Sequence, residues 1–186
     1  MPCPLAKEAG MLYNKRKVRT GAALPQKNME QTQVAVIGAG HAGMEAALAS
    51  ARMGVDTVLF TLNLDSLANM PCNPSIGGTG KGHLVYEIDA LGGEMGRAAD
   101  RVTLQSRTLN LGKGAAVHSK RVQADRLLYR RIMKETAENT PHLRLLQAEV
   151  TEILTEGEGD ARRVSGVRTA LGEIYRCRRV IVCAGT

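Results

Sequence analysis

The sequence predicts an α/β fold built on a parallel sheet, and three observations carry that prediction. Val34-Ala-Val-Ile37 is a short apolar run with three β-branched residues, the pattern of a strand buried on both faces. Glycines at 38, 40 and 43 follow at once, and His41 to Met53 is an Ala-rich, proline-free run suited to a helix packed closely on a sheet. A second strand, Asp56 to Thr61, and a late buried strand, Val180 to Cys183, extend the same pattern.

The glycines stand in the spacing G-x-G-x-x-G, and each has a physical task. Gly38 lets the chain turn sharply out of the strand. Gly40 lacks a Cβ, so a pyrophosphate can approach the backbone. Gly43 lets helix and strand pack tightly. The amides of Ala39, Gly40, His41, Ala42 and Gly43 then lie where the helix dipole favours an anion. The spacing alone is weak evidence, but its place between a strand and a helix, with a second strand beyond, points to a dinucleotide site. The acidic residue that usually binds the adenosine ribose should close the second strand. Thr61 stands there, Asp56 is too early and Asp65 too late, which leaves Thr61 or Asn63 for a ribose hydroxyl.

Composition sets bounds on the rest. The 186 residues are enough for one domain with a sizeable core, and 44% apolar with 23% charged residues is ordinary for a soluble protein. No apolar run is long enough to span a membrane. The four cysteines, Cys3, Cys72, Cys177 and Cys183, form no C-x-x-C pair and no zinc spacing; with no secretory signal, a reduced cytoplasm is the simplest compartment. Of the net charge of +7, residues 1–30 supply +4, from six Lys or Arg and two Glu. The remaining residues carry +3, so the pI near 9.5 reads mostly as a property of the tail.

Taken in order, residues 1–30 lack apolar periodicity and read as a disordered basic extension. They lack the apolar core of a signal peptide; a transit peptide remains an alternative, although the stretch has no Ser. Met29 is an alternative start. Residues 31–186 read as the nucleotide-binding domain. From Asn63 to Gly82 a long loop is expected, since prolines and glycines crowd it, and so long a loop is usually functional. It is not a P-loop, because Ser75 and Gly82 break that pattern. His83 to Leu91 reads as a helix with Leu84, Val85, Ile88 and Leu91 on one face, ended by Gly92-Gly93. Val102 to Leu109 alternates weakly as a strand. Gln123 to Asn139 reads as an amphipathic helix, with Ala124, Leu127, Leu128, Ile132 and Met133 inward. Its basic stripe of Arg126, Arg130 and Lys134 is a solvated face or, alternatively, a phosphate contact. Strands follow at Leu143 to Gln147 and Glu149 to Leu154. A hairpin of Val164 to Thr169 and Ile174 to Arg178 turns at Leu171-Gly172. A buried strand ending in Gly185-Thr186 should face ligand with more chain beyond it, so a C-terminally truncated domain is expected.

Several longer segments resemble one family. They are Gly38-Ala-Gly-His-Ala-Gly43, Met70-Pro-Cys-Asn-Pro-Ser-Ile-Gly-Gly-Thr-Gly-Lys-Gly-His-Leu84, Glu87-Ile-Asp-Ala-Leu-Gly-Gly93, Arg107-Thr-Leu-Asn110, Gly112-Lys-Gly114 and Gln123-Ala-Asp-Arg126. Together they are similar to the FAD-dependent tRNA uridine 5-carboxymethylaminomethyl modification enzymes, the glucose-inhibited division protein A family, over residues 33–186. The sequence departs from the family at Ala115, where Pro is usual, and at His118, where Arg is common.

The resemblance implies a glutathione-reductase-like, FAD-binding Rossmann-type fold with an inserted β-meander, of which this chain would be about the first third. It implies FAD held at Gly38–Gly43, with a backbone contact on the adenine side at Val150. It implies NADH, bound downstream of these residues, and methylenetetrahydrofolate. The implied partners are tRNA and a GTPase subunit, with a homodimer at full length. The implied reaction adds an aminomethyl or carboxymethylaminomethyl group at C5 of the wobble uridine, and the chain alone is expected to be inactive. Cys72 is the candidate catalytic residue, its thiolate attacking uracil C6 or assisting transfer from the flavin, with Lys81 lowering the thiol pKa if its ammonium lies close. A structural loop cysteine is the alternative. Cys177 and Cys183 read as core, and Lys113 as either a phosphate contact or a solvated side chain. Alternative functions are another NADH-dependent flavoprotein reductase and a non-catalytic flavin-binding fragment.

Overall fold

The computed structural model describes residues 30–185. The N-terminal extension, apart from Glu30, lies outside the described residues. Among the described residues, eleven strands and four α-helices run in the order β1 (Glu30–Gln31), β2 (Val34–Ile37), α1 (His41–Arg52), β3 (Thr57–Thr61), β4 (Ser75–Gly77), α2 (Gly82–Ala90), α3 (Met95–Arg101), β5 (Thr103–Leu109), β6 (Ser119–Ala124), α4 (Arg126–Glu138), β7 (Leu143–Gln147), β8 (Val150–Glu156), β9 (Arg163–Thr169), β10 (Ile174–Arg176) and β11 (Arg179–Val182).

Four of these strands form a parallel sheet in the order β11-β2-β3-β7. Its apolar runs are explained by burial on both faces. Val36 and Leu59 point to one side, into a core with Met44, Leu48, Tyr129 and Met133 from α1 and α4. Ala35, Val58 and Phe60 point to the other, against Val167, Tyr175 and Cys177. That second layer is the meander β8-β9-β10, edged by β1. Phe60 and Tyr175 meet edge to face across the two layers, their ring centroids 5.2 Å apart. The chain therefore winds from β2 to β3 to β7, crosses to the meander, and returns to β11 on the far side of β2. The sequence expectation of a parallel sheet with an inserted meander describes this arrangement.

Several local expectations differ. The loop after β3 is not wholly irregular: β4 forms within it, because Ser75–Gly77 finds an antiparallel partner in Gln123–Arg121 of β6. With β5 these strands make a second, three-stranded sheet. The helix expected from Gln123 begins three residues later, because Val122 and Ala124 are buried as strand residues. Asp125 then caps α4, its carboxylate accepting from the amides of Leu127 (2.9 Å) and Leu128 (3.0 Å). The buried face of α4 is Tyr129, Ile132, Met133 and Ala137, whereas Leu127 and Leu128 are exposed. Likewise Leu84 and Leu91 are exposed, so the apolar face expected for the helix after Gly82 is only partly used, through Val85. Helix α3 has no counterpart among the sequence expectations, and Cys183 is half-buried, not a core residue like Cys177.

Because its carboxylate satisfies two otherwise unpaired amides, Asp125→Ala is expected to lower stability by about 1 kcal/mol. Urea unfolding checks this through a fall in midpoint at unchanged slope; an unmoved midpoint would show the cap to be dispensable.

Candidate nucleotide-binding site

The parallel strands all end on one rim, and the direction of winding reverses at β2. Ligands of open α/β sheets bind at such a switch point, outside the carboxyl ends of the strands. The glycine turn occupies it. Gly38 has φ +99°, and a Cβ there would stand 2.3 Å from the carbonyl oxygen of Cys183, just past β11. A Cβ on Gly43 would meet the Gly38 oxygen at 1.8 Å. Both glycines are therefore demanded by close packing. Gly40 differs: it is exposed, and a Cβ there would meet nothing within 4 Å. It is also the N-cap of α1, which has no side-chain cap and no acidic residue in its first turn. The open space in front of the helix start thus faces uncapped amides, an environment that fits an anionic group.

The neighbours of this turn are fixed from behind. Ala39 is buried, and its carbonyl accepts from the amide of Ala68 at 2.9 Å, which pins the β3–β4 loop against the turn. Ala42 is exposed beside the open space. His41 is half-buried, with its Nε2 enclosed and without a hydrogen-bond partner among the described residues. Its ring lies 5.8 Å from that of Tyr129. Burial lowers the imidazole pKa, so the ring is neutral at neutral pH and the positive potential at the helix start is the backbone's. Burial, with the Glu45 and Glu94 carboxylates nearby, raises the Tyr129 phenol, which stays protonated.

Glu45 is a positioning residue that sequence reasoning missed. From the second turn of α1 its Oε1 accepts from the amides of Glu94 (3.0 Å) and Met95 (2.6 Å), and so holds the start of α3. Buried Glu94 in turn pairs with Arg52 at 2.5 Å, and Arg52 also donates to the Gly92 carbonyl at 2.9 Å. A lone acid in an otherwise Ala-rich, acid-free helix was the available signal.

Along the rim, Thr61 donates to the Asn63 carbonyl (3.2 Å), and Asn63 Oδ1 accepts from the Asp65 amide (2.7 Å). Both ribose candidates are thus engaged within their own turn. The Ala148 amide donates to the Thr61 carbonyl at 2.9 Å, and Val150 opens β8 two residues later. The end of β7, two strands from β2, lies about 10 Å along the rim from the glycine turn, and Val150 follows it three residues on.

Cys72 is exposed in the loop before β4, where its carbonyl accepts from Arg126 Nη2 at 3.1 Å. Four residues separate it from Ala68, so it lies within about 14 Å of the hydrogen bond to Ala39. Lys81 is exposed at the N-cap of α2, beyond β4, with its amide donating to Gly78 at 3.0 Å. Among the described residues no hydrogen bond joins Cys72 to Lys81. The basic stripe of α4 is divided: Arg126 holds the Cys72 loop, Lys134 pairs with Asp65 at 3.0 Å, and the Nε of Arg130 is buried. Among the described residues there is no cluster of three or more His, Cys, Asp or Glu able to hold a metal ion, and no helix is long and apolar enough to cross a membrane.

A parallel sheet with a glycine turn at its switch point, helices on one face and a meander on the other defines a Rossmann-type nucleotide-binding fold of the kind found in flavoproteins. The chain belongs to the glucose inhibited division protein A family, whose profile matches residues 33–186. It is 56% identical over 153 residues to the tRNA uridine 5-carboxymethylaminomethyl modification enzyme MnmG of Caldicellulosiruptor saccharolyticus, a match covering 82% of this chain and 24% of that protein. The solved structure of Aquifex aeolicus GidA is similar with a TM-score of 0.80 at 50% identity, over 84% of this chain and 26% of that one. A Pseudomonas aeruginosa protein described as a probable FAD-dependent monooxygenase, PqsL, shares the fold alone, at TM-score 0.55 and 16% identity, over 81% of this chain and 42% of that one. The chain spans about a quarter of the length of the curated relatives it matches, less than the third expected from sequence.

Proposed function

We propose that residues 31–186 form the FAD-binding portion of an enzyme that modifies tRNA. The reaction adds a carboxymethylaminomethyl or aminomethyl group at C5 of the wobble uridine. The observation that carries this reading is the family membership combined with the open, uncapped helix start at Gly40. FAD supplies the redox chemistry when bound, and the chain's residues hold and orient it. The first amides of α1 receive the pyrophosphate at Gly38–Gly43, with Ala39, His41 and Ala42 shaping the turn. The Val150 backbone receives the adenine side. The Cys72 loop, pinned to Ala39 through Ala68 and to α4 through Arg126, borders the reacting ring. NADH as reductant, methylenetetrahydrofolate as carbon donor, a GTPase subunit, a homodimer and a cytoplasmic setting complete the proposal.

A chimera tests it: residues 33–186 replace the corresponding quarter of the Caldicellulosiruptor saccharolyticus relative in a bacterium lacking its own enzyme. The chimera is expected to purify yellow and to restore the modified nucleoside. A folded, colourless chimera that leaves the uridine unmodified sinks the proposal.

A further inference from the structure

The charge of +3 beyond the N-terminal tail conceals a strong segregation. Residues 66–86 and 101–124 hold Lys81, Arg101, Arg107, Lys113, Lys120 and Arg121, with His83 and His118, and not one Asp or Glu. These two stretches contain the whole β4-β6-β5 sheet and its two glycine loops. The acids of the intervening segment sit on α2 and α3 and in the turn between them.

The fold draws these cations together. Thr79 of the first loop accepts from Asn110 Nδ2 of the second at 3.1 Å, and Asn110 also donates to the Val117 carbonyl at 3.0 Å. Ser119 Oγ donates to the Gly78 carbonyl at 2.6 Å. In the sheet Arg107 pairs directly with Arg121, and Thr108 with Lys120. Like charges directly opposite each other in a sheet are destabilising. Yet none of the six cations forms an ion pair among the described residues, whereas Arg52, Arg131, Arg144 and Arg168 each pair with a carboxylate elsewhere. The edge strand β5 is exposed from Thr103 to Thr108. Its cation is interleaved with the hydroxyls and amide of Thr103, Gln105, Ser106 and Thr108.

We propose that this sheet and its paired loops are a docking surface for the phosphodiester backbone of RNA, an inference that rests on the tRNA reading above and gives it a location. Arg107 and Arg121 share one face of the sheet and Lys120 lies on the other, with Lys81 and Lys113 in the flanking loops, so the cations are spread over the whole unit, which suits a repeating phosphate better than a single acidic side chain. Gly80, Gly112 and Gly114, where an added Cβ would meet nothing, leave backbone amides open to approach.

The test measures binding of the 186-residue chain to a labelled tRNA transcript across a range of salt concentrations. The triple variant Arg107→Ala, Lys113→Ala, Lys120→Ala is compared with Arg131→Ala, Arg144→Ala, Arg168→Ala, which removes equal charge elsewhere. The first triple is expected to weaken binding by about tenfold to 100-fold near 0.1 M salt and to flatten the log–log salt slope by about 2. The second is expected to change neither as much, with circular dichroism confirming that both variants keep the fold. Equal losses from the two triples, or no binding by the unaltered chain, overturn the inference. So does displacement of the RNA by polyglutamate at equal charge, which would mark a surface for acidic proteins. If the chimera modifies tRNA while the first triple binds normally, the docking surface falls and the proposed function stands; an inactive chimera removes the function instead.

Discussion

Gly40→Asp in the chimera is expected to abolish flavin retention while leaving the flavin-free protein as stable as the flavin-free parent. The backbone at Gly40 has φ −68° and ψ −175°, which any residue adopts, and the added Cβ enters open space. Asp is moreover among the preferred N-cap residues, so its carboxylate can satisfy an amide of α1 and hold the fold or strengthen it. That same carboxylate then occupies the ground on which the pyrophosphate must rest. Two like charges about 4 Å apart at a protein surface repel by about 4 kcal/mol, a loss of roughly 1000-fold in affinity. The flavin-to-protein ratio after purification and a thermal melt separate binding from folding. A stoichiometrically yellow Gly40→Asp protein would place the cofactor elsewhere. At Gly43 the outcome reverses, because a Cβ 1.8 Å from the Gly38 oxygen disturbs the strand–helix packing itself.

The contrast between these glycines is legible in the sequence because the strand-turn-helix pattern is local. The run Val34–Ile37, the glycine spacing and the Ala-rich helix all report on neighbours within a dozen residues. The elements that sequence missed take their reason from distant partners. Three residues of β4 become a strand only because β6, some 45 residues on, pairs with them. Helix α3 starts where it does because Glu45, about 50 residues earlier, accepts its first amides. The misplaced start of α4 has a different cause: Val122 and Ala124 keep strand alternation up to the cap, and their apolar side chains also fit a helical period that runs on through Leu127 and Leu128. The segregation of charge on β5 and β6 is present in the sequence, but a net figure dominated by the tail hides it. Only the register that sets Arg107 against Arg121 turns it into a surface.

Cys72→Ser in the chimera is expected to lower wobble-uridine modification by orders of magnitude while leaving flavin content and NADH-driven flavin reduction nearly intact. In the proposed step the thiolate adds to uracil C6, forming an S–C6 bond as the C5–C6 π pair moves toward C5 and O4, which makes C5 nucleophilic. C5 then attacks the methylene carbon delivered by the methylenetetrahydrofolate donor, whose carbon–nitrogen bond pair passes to nitrogen; the C5 proton leaves to a base and the sulfur departs with the C5–C6 double bond restored. A serine hydroxyl keeps the size and polarity of the side chain but is a far poorer nucleophile at neutral pH than a thiolate. The loop itself should persist, because its fastenings are backbone contacts: Arg126 to the Cys72 carbonyl at 3.1 Å, and the Ala124 amide to the Pro74 carbonyl at 2.7 Å. With Cys72 exposed, the substitution leaves no cavity and stability should hold. Loss of modification with unchanged flavin reduction and tRNA affinity therefore assigns the thiol to the chemistry on uracil. Near-normal modification by the Ser variant would retire Cys72 as a catalytic residue and leave the loop as a shaped wall beside the flavin, its place fixed by the Ala39–Ala68 hydrogen bond.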